Sequence, residues 1–145
     1  MGAVAVFPTF QMPPVIRWLK ALVNLARDVA ADAIIGGSTY TKYNNANAYL
    51  GVGNGTTAFS AAHTDLQGAS KTRKAMDATY PSRAANVVTY RATFATTDAN
   101  YAWEEVGVFN AAAAGEMMSR NVTSLGTKTS AASWVLTHTQ TWVLV

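Results

Sequence analysis

The chain has 145 residues, half of them hydrophobic and 13 % charged, with a net charge of +3 and no cysteine. That length is one domain's worth and buries roughly 70 % of the surface its unfolded form exposes, so a hydrophobic core is within reach. Disulfide scaffolds, thiolate metal sites and cysteine nucleophiles are excluded, and the weak charge argues against the clustered basic face that nucleic acid requires. The charged share is about half the usual one, which implies that neighbouring subunits cover part of the surface.

Residues 1–11 read as an irregular arm. No basic segment opens it and its apolar run is short, so no signal peptide is expected. Val6 stands where the myristoylation pattern needs Ser or Thr. Pro13 and Pro14 suit a helix start. From Val15 onward, Val15, Trp18, Leu19, Leu22, Leu25, Ala26 and Val29 fall on one stripe, with Arg17, Lys20, Asn24, Arg27 and Asp28 mostly opposite. This predicts an amphipathic helix of about 20 residues, ended by Gly36-Gly37. Five charges between Pro14 and Ile35 argue against a membrane span. Its first turns are basic and its last acidic, which opposes the helix dipole. Packing of the stripe must therefore hold the helix. Val15, Trp18, Leu19, Leu22, Leu25 and Val29 are the expected interface residues.

After Gly37 the period changes to two. Strands are expected at Thr39–Tyr43, Tyr49–Gly53, Val87–Phe94, Tyr101–Phe109, Met117–Thr123 and Trp134–Val145, with Lys71–Tyr80 ambiguous and ended by Pro81. Asn44–Asn47 reads as a turn and residues 54–70 as a loop of small polar residues. In Val87–Phe94, Val88, Tyr90, Ala92 and Phe94 share one face. In the last strand Trp134, Leu136, His138, Gln140, Trp142 and Leu144 do so. Five to seven short strands predict a mainly β protein: an antiparallel β-sandwich preceded by one N-terminal amphipathic helix. Residues 1–37 form the arm and docking helix and residues 38–145 the sandwich.

Candidate chemistry is sparse. Gly51-Val52-Gly53-Asn54-Gly55-Thr56 lacks the third glycine of a dinucleotide fingerprint, a following helix and a Walker lysine, so it reads as a tight turn. His63 and Asp65 have ligand-like spacing but no third ligand nearby, and local side-chain-to-backbone bonds are expected instead. His138 reads as an interior or interface histidine. Lys71, Arg73, Lys74, Arg83 and Arg91 form the basic concentration. Tyr80 and Tyr90 could stack on bases, but they serve a β core equally. The Asn-x-Thr sites at Asn54 and Asn121 carry no weight without a secretion signal. Glu104 and Glu105 are adjacent, so in a strand they point to opposite faces and cannot act together. Glu105 shares a side with Trp103 and Phe109 in a regular strand. If buried it needs a cationic partner, for which Arg91 and Arg120 are the candidates. No catalytic, cofactor or metal residue is expected.

Several of these segments, in order, carry a resemblance. Tyr49-Leu50-Gly51-Val52-Gly53-Asn54-Gly55-Thr56-Thr57-Ala58 and Thr64-Asp65-Leu66 resemble the opening of a family of small tailed-bacteriophage virion proteins. Val87–Phe94, Ala99-Asn100, Glu105-Val106-Gly107-Val108-Phe109-Asn110-Ala111, Gly115, Met118, Arg120 and Thr127-Lys128-Thr129-Ser130 continue it. The resemblance covers residues 48–145 and leaves out the helix. It implies a β-sandwich in a repeating virion assembly, often trimeric, with no catalytic residues. Glu105 and Arg120 lie in its motif. The function expected from it is a capsid decoration (cement) protein. Such a protein would bind the major capsid protein as a symmetric oligomer on the virion, assembled in the host bacterial cytoplasm without cofactor, nucleic acid or membrane. The alternative is a tail, tail-fibre or baseplate component with receptor contacts. A glycan hydrolase would need two carboxylates set across a cleft, a pattern the eight acidic residues do not show.

Overall fold

The computed structural model describes residues 24–142. One helix, α1 (Asn24–Ile34), precedes seven strands: β1 (Tyr49–Gly53), β2 (Lys71–Ala75), β3 (Ser82–Ala84), β4 (Val87–Phe94), β5 (Ala102–Phe109), β6 (Met117–Thr127) and β7 (Trp134–Thr141). They form two antiparallel sheets, one in the order β2-β1-β5-β6 and the other β3-β4-β7. The molecule is mainly β, a sandwich of these sheets with a helix in front of it.

The alternation of residue types decides what lies between the sheets. Leu50 and Val52 of β1, Val106 and Val108 of β5, and Tyr90, Ala92 and Phe94 of β4 are all buried in one cluster. Three aromatic rings join the layers: Trp103 stands 4.8 Å from Phe94 and 5.0 Å from Trp134, both edge-to-face. Such contacts add about 0.5–1.5 kcal/mol each beyond the area they bury. β4 therefore lies above β1 and β2, and β7 lies above β5.

A second apolar cluster sits on the opposite, outer face of the four-stranded sheet. Leu66, Phe109 and Met117 are buried there, with Tyr49 and Phe59 packed against them. The loop between β1 and β2 covers this face. It can come close because Gly51 and Gly107 carry no side chain against its Leu66, while Gly53 leaves room for the Glu105 carboxylate beneath it. A Cβ on Gly53 would stand 2.5 Å from the Glu105 carboxylate.

Several expectations need correction. Thr39–Tyr43 is not a strand. It leads into the Asn44–Asn47 turn, closed by Ala48 N–H donating to Asn44 O at 2.7 Å. β3 was not foreseen, being three exposed residues whose pairing comes from β4. β6 runs four residues beyond Thr123, and β7 ends at Thr141, with residues 143–145 outside the described range. The phase of β5 also changes. A register irregularity between Trp103 and Glu105 turns Trp103 into the sandwich core while Glu105 and Phe109 face outward, so Glu105 does not share Trp103's side. Between these two pairings β5 advances two residues and β6 four, and a bulge of this kind re-aims the side chains on either side of it.

Of the expected interface residues, Val15, Trp18, Leu19 and Leu22 lie outside the described residues. Leu25 lies in α1. Val29 is not free to meet a partner, because it is buried and α1 packs against β6 of the same chain. Ile34 and Ile35, at the end of the helix, are exposed.

Candidate functional site

The outer face of the four-stranded sheet concentrates the buried charge of the molecule. Glu105 on β5 and Arg120 on β6 form an ion pair with Arg120 Nε 2.6 Å from Glu105 Oε2, both side chains fully out of water. Two buried ions are tolerable only when their remaining lone pairs and protons are also satisfied. Gln67 N–H donates to Glu105 Oε2 at 3.1 Å, and Gly68 N–H to Oε1 at 2.7 Å. Arg120 Nη2 donates to Thr57 O at 2.9 Å, and Nη1 stands 3.3 Å from His63 Nδ1. That nitrogen also accepts Ser60 N–H at 3.2 Å, which assigns the ring proton to Nε2. Strands supply the two charges, and the covering loop supplies every other partner.

Asp65 extends the network. Its carboxylate stands 2.6 Å from Lys71 Nζ and 3.0 Å from Arg73 Nη2, and Leu66 N–H donates to it at 2.8 Å. Partial burial alone would raise its pKa. The hydrogen bonds from Lys71, Arg73 and Leu66 outweigh burial and hold it below the usual value. Arg73 lies flat on Phe109, 3.6 Å from the ring centroid, and donates to Ala111 O and Ala114 O at 3.1 and 2.6 Å. A guanidinium suits this place because it stacks and donates in several directions at once. Arg73 thereby ties the 54–70 loop to the 110–116 loop.

The 110–116 loop is fastened from beneath. Asn110 is buried. Its Nδ2 donates to Thr41 O at 2.8 Å and its Oδ1 accepts Glu116 N–H at 2.7 Å. Tyr43 Oη donates to Glu116 O at 3.1 Å, and burial with the nearby Glu116 charge raises the pKa of that phenol. At the other end of the sandwich, buried Lys128 donates to Asn100 Oδ1 at 2.9 Å and Thr129 O at 3.3 Å. Close by, Lys74 pairs with Asp98 at 2.7 Å. The hydrogen bond from Lys74 is the main reason the Asp98 pKa lies below its usual value.

Arg91 is not the partner of Glu105. It alternates with Tyr90 on β4, so it points away from the four-stranded sheet. It lies 3.3 Å from Asp77 in an ion pair whose angle is not that of a hydrogen bond. His138 is half-buried on the inner face of β7 beside Tyr90, and burial lowers its pKa. Glu104 accepts a hydrogen bond from Ser124 Oγ at 3.1 Å, on the opposite side of β5 from Glu105. Among the described residues no three His, Asp or Glu side chains gather as a metal site, and no helix is long and apolar enough to cross a membrane.

Arg73, Asn110 and Lys128 hold structural roles that the sequence pattern did not assign to them. Alternating glycines in β1 were the available signal, since they mark a face on which something large must fit. Chemically, each acid of the cluster already holds a base or a backbone N–H, and the loops sit directly on the charges. The arrangement is a clamp that fixes two loops to a sheet. The chain matches no family model, no curated protein and no solved structure.

Proposed function

We propose that the protein is a non-enzymatic structural component of a tailed-bacteriophage virion, a capsid decoration protein that binds the head surface as a symmetric oligomer. The observation that carries this reading is how Glu105 and Arg120 are used. These two residues of the resembling motif are spent on each other and on loop backbone, leaving neither free for acid–base work. A rigid β-sandwich with pinned loops suits a repeating lattice contact, where rigidity lowers the entropy cost of each association. The exposed Ile34 and Ile35 suit a helix whose end meets another protein.

Quantitative mass spectrometry of virions separated into heads and tails tests the proposal. The decoration reading expects hundreds of copies in the head fraction. A few to a few dozen copies in the tail fraction would favour the tail or baseplate alternative. Absence from both would end the virion reading.

A further inference from the structure

Each sheet has two edge strands, and three of the four are protected against pairing with another chain. β2 carries Lys71, Arg73 and Lys74 in five residues. β3 is three residues long and contains Arg83. β6 pairs with β5 through two register irregularities, and α1 packs against it. Charge, shortness, bulges and covering elements are the usual ways in which an edge is blunted.

β7 has none of these. Its eight residues, Trp-Val-Leu-Thr-His-Thr-Gln-Thr, contain no Lys, Arg, Asp, Glu, Pro or Gly. Its ladder with β4 is unbroken from Val87↔Thr141 to Phe94↔Trp134, so the strand is regular. Among the described residues it is paired on that side only. Its outward-facing Val135, Thr137, Thr139 and Thr141 are all exposed. Beside it, Gly126 of β6 approaches the Trp134 ring. Val122, Leu125, Val135 and Trp142, four of the six exposed large hydrophobic residues among the described ones, belong to β6, β7 or the residue after it.

We infer that β7 is a homotypic docking edge, pairing antiparallel with β7 of a second copy about a two-fold axis. A free strand edge selects a strand, because only a strand returns the whole row of N–H and C=O bonds. A second β7 is the fitting strand because the edge is uncharged. A charged partner would find no complement on it, whereas two copies bring no like charges together. Pairing centred on His138 sets Thr137 opposite Thr139 and Val135 opposite Thr141, the self-complementary pattern of an isologous contact. Two three-stranded sheets then become one six-stranded sheet. This contact does not rest on the virion reading and stands or falls separately from it.

The test is the mass of the full chain in solution by light scattering. The parent is expected at an even number of copies. The double variant Thr137→Lys/Thr139→Lys, which sets ammonium groups against each other across the axis at exposed positions, is expected at half that mass with unchanged far-UV circular dichroism. The control Ser82→Lys/Ala84→Lys adds the same charge on β3 and is expected to keep the parent's mass. Amide exchange needs no variant and should slow across residues 135–141 as concentration rises. A monomeric parent, an odd number of copies, or a β7 variant that keeps the parent's mass overturns the inference. So does a chain that associates only after residues 1–23 are deleted, because its own N-terminal segment would then be the occupant.

Discussion

On the outer face of the four-stranded sheet, Glu105 and Arg120 are buried as a pair, and the partly exposed Asp65, Lys71 and Arg73 around them are paired as well. Along β7 there is no charged side chain, and its free edge stands open to solvent among the described residues. The first region holds the molecule to itself through electrostatics that work only because every partner is present. The second has nothing inside the described chain to complete it. Low overall charge is thus unevenly distributed: where charge is used it is used for internal fastening, and where a neighbour could bind it is left out.

Removing one member of the buried pair should have the largest effect. Glu105→Ala or Arg120→Ala leaves an uncompensated ion under the 54–70 loop and is expected to cost about 3–5 kcal/mol. Chemical denaturation would read this directly. A loss under about 1 kcal/mol would mean that the remaining charge is well solvated and the clamp is not closed.

Arg73→Ala should rank second. It removes the stacking on Phe109, one of Asp65's partners and the bonds to Ala111 O and Ala114 O. Losses of about 1–3 kcal/mol are expected for such a mostly buried cation. Limited proteolysis should cut within residues 110–116 sooner than in the parent. Unchanged cutting would show that Asn110 alone holds that loop.

The pH dependence has two parts. His138 is held below its ordinary 6.5 by burial. As pH falls below 6.5 the unfolded chain takes up a proton before the folded one does, so stability declines. Asp65 and Asp98 lie below their ordinary 3.8. Their contribution is complete above that value and is lost as pH falls through their folded values. Urea titrations from pH 8 to pH 3 should therefore show a first decline starting near 6.5 and a second starting near 3.8. His138→Gln should remove the first and leave the second. Persistence of the first decline in that variant would assign it elsewhere.

The smallest effect on stability belongs to the open flank. Thr137→Lys/Thr139→Lys touches exposed positions only and should change the unfolding free energy of the separated chain by roughly 0.5 kcal/mol or less. A large destabilisation would show that the β7 edge is covered within its own chain.

Much of the sandwich was legible because its strands alternate cleanly. Val87–Phe94 is strand from end to end, and the inward face of β7, from Trp134 to Gln140, falls where period two places it. Thr39–Tyr43 failed because two aromatic rings and two threonines satisfy a strand pattern, while in the fold this segment bonds to the 110–116 loop through Thr41 O and Tyr43 Oη and to no strand ladder. β3 was invisible because its residues carry no pattern of their own. A carboxylate in the apolar context of β5 was enough to suggest a buried ion pair. Choosing between Arg91 and Arg120 required knowing which sheet each strand enters and where β5 shifts register, neither of which is local. The burial of Lys128 and the fastening of Asn110 depend on loops meeting across the fold, and periodicity contains no trace of that.

The central claim is that Glu105 and Arg120 act as one device. A double-mutant cycle of Glu105→Ala and Arg120→Ala, read by urea unfolding, tests it most directly. The account predicts that the double variant loses far less than the sum of the singles, with a coupling of about 2–3 kcal/mol, because removing both ions leaves no unpaired charge under the loop. Additive losses would contradict it, since each side chain would then be stabilising the sheet independently of the other.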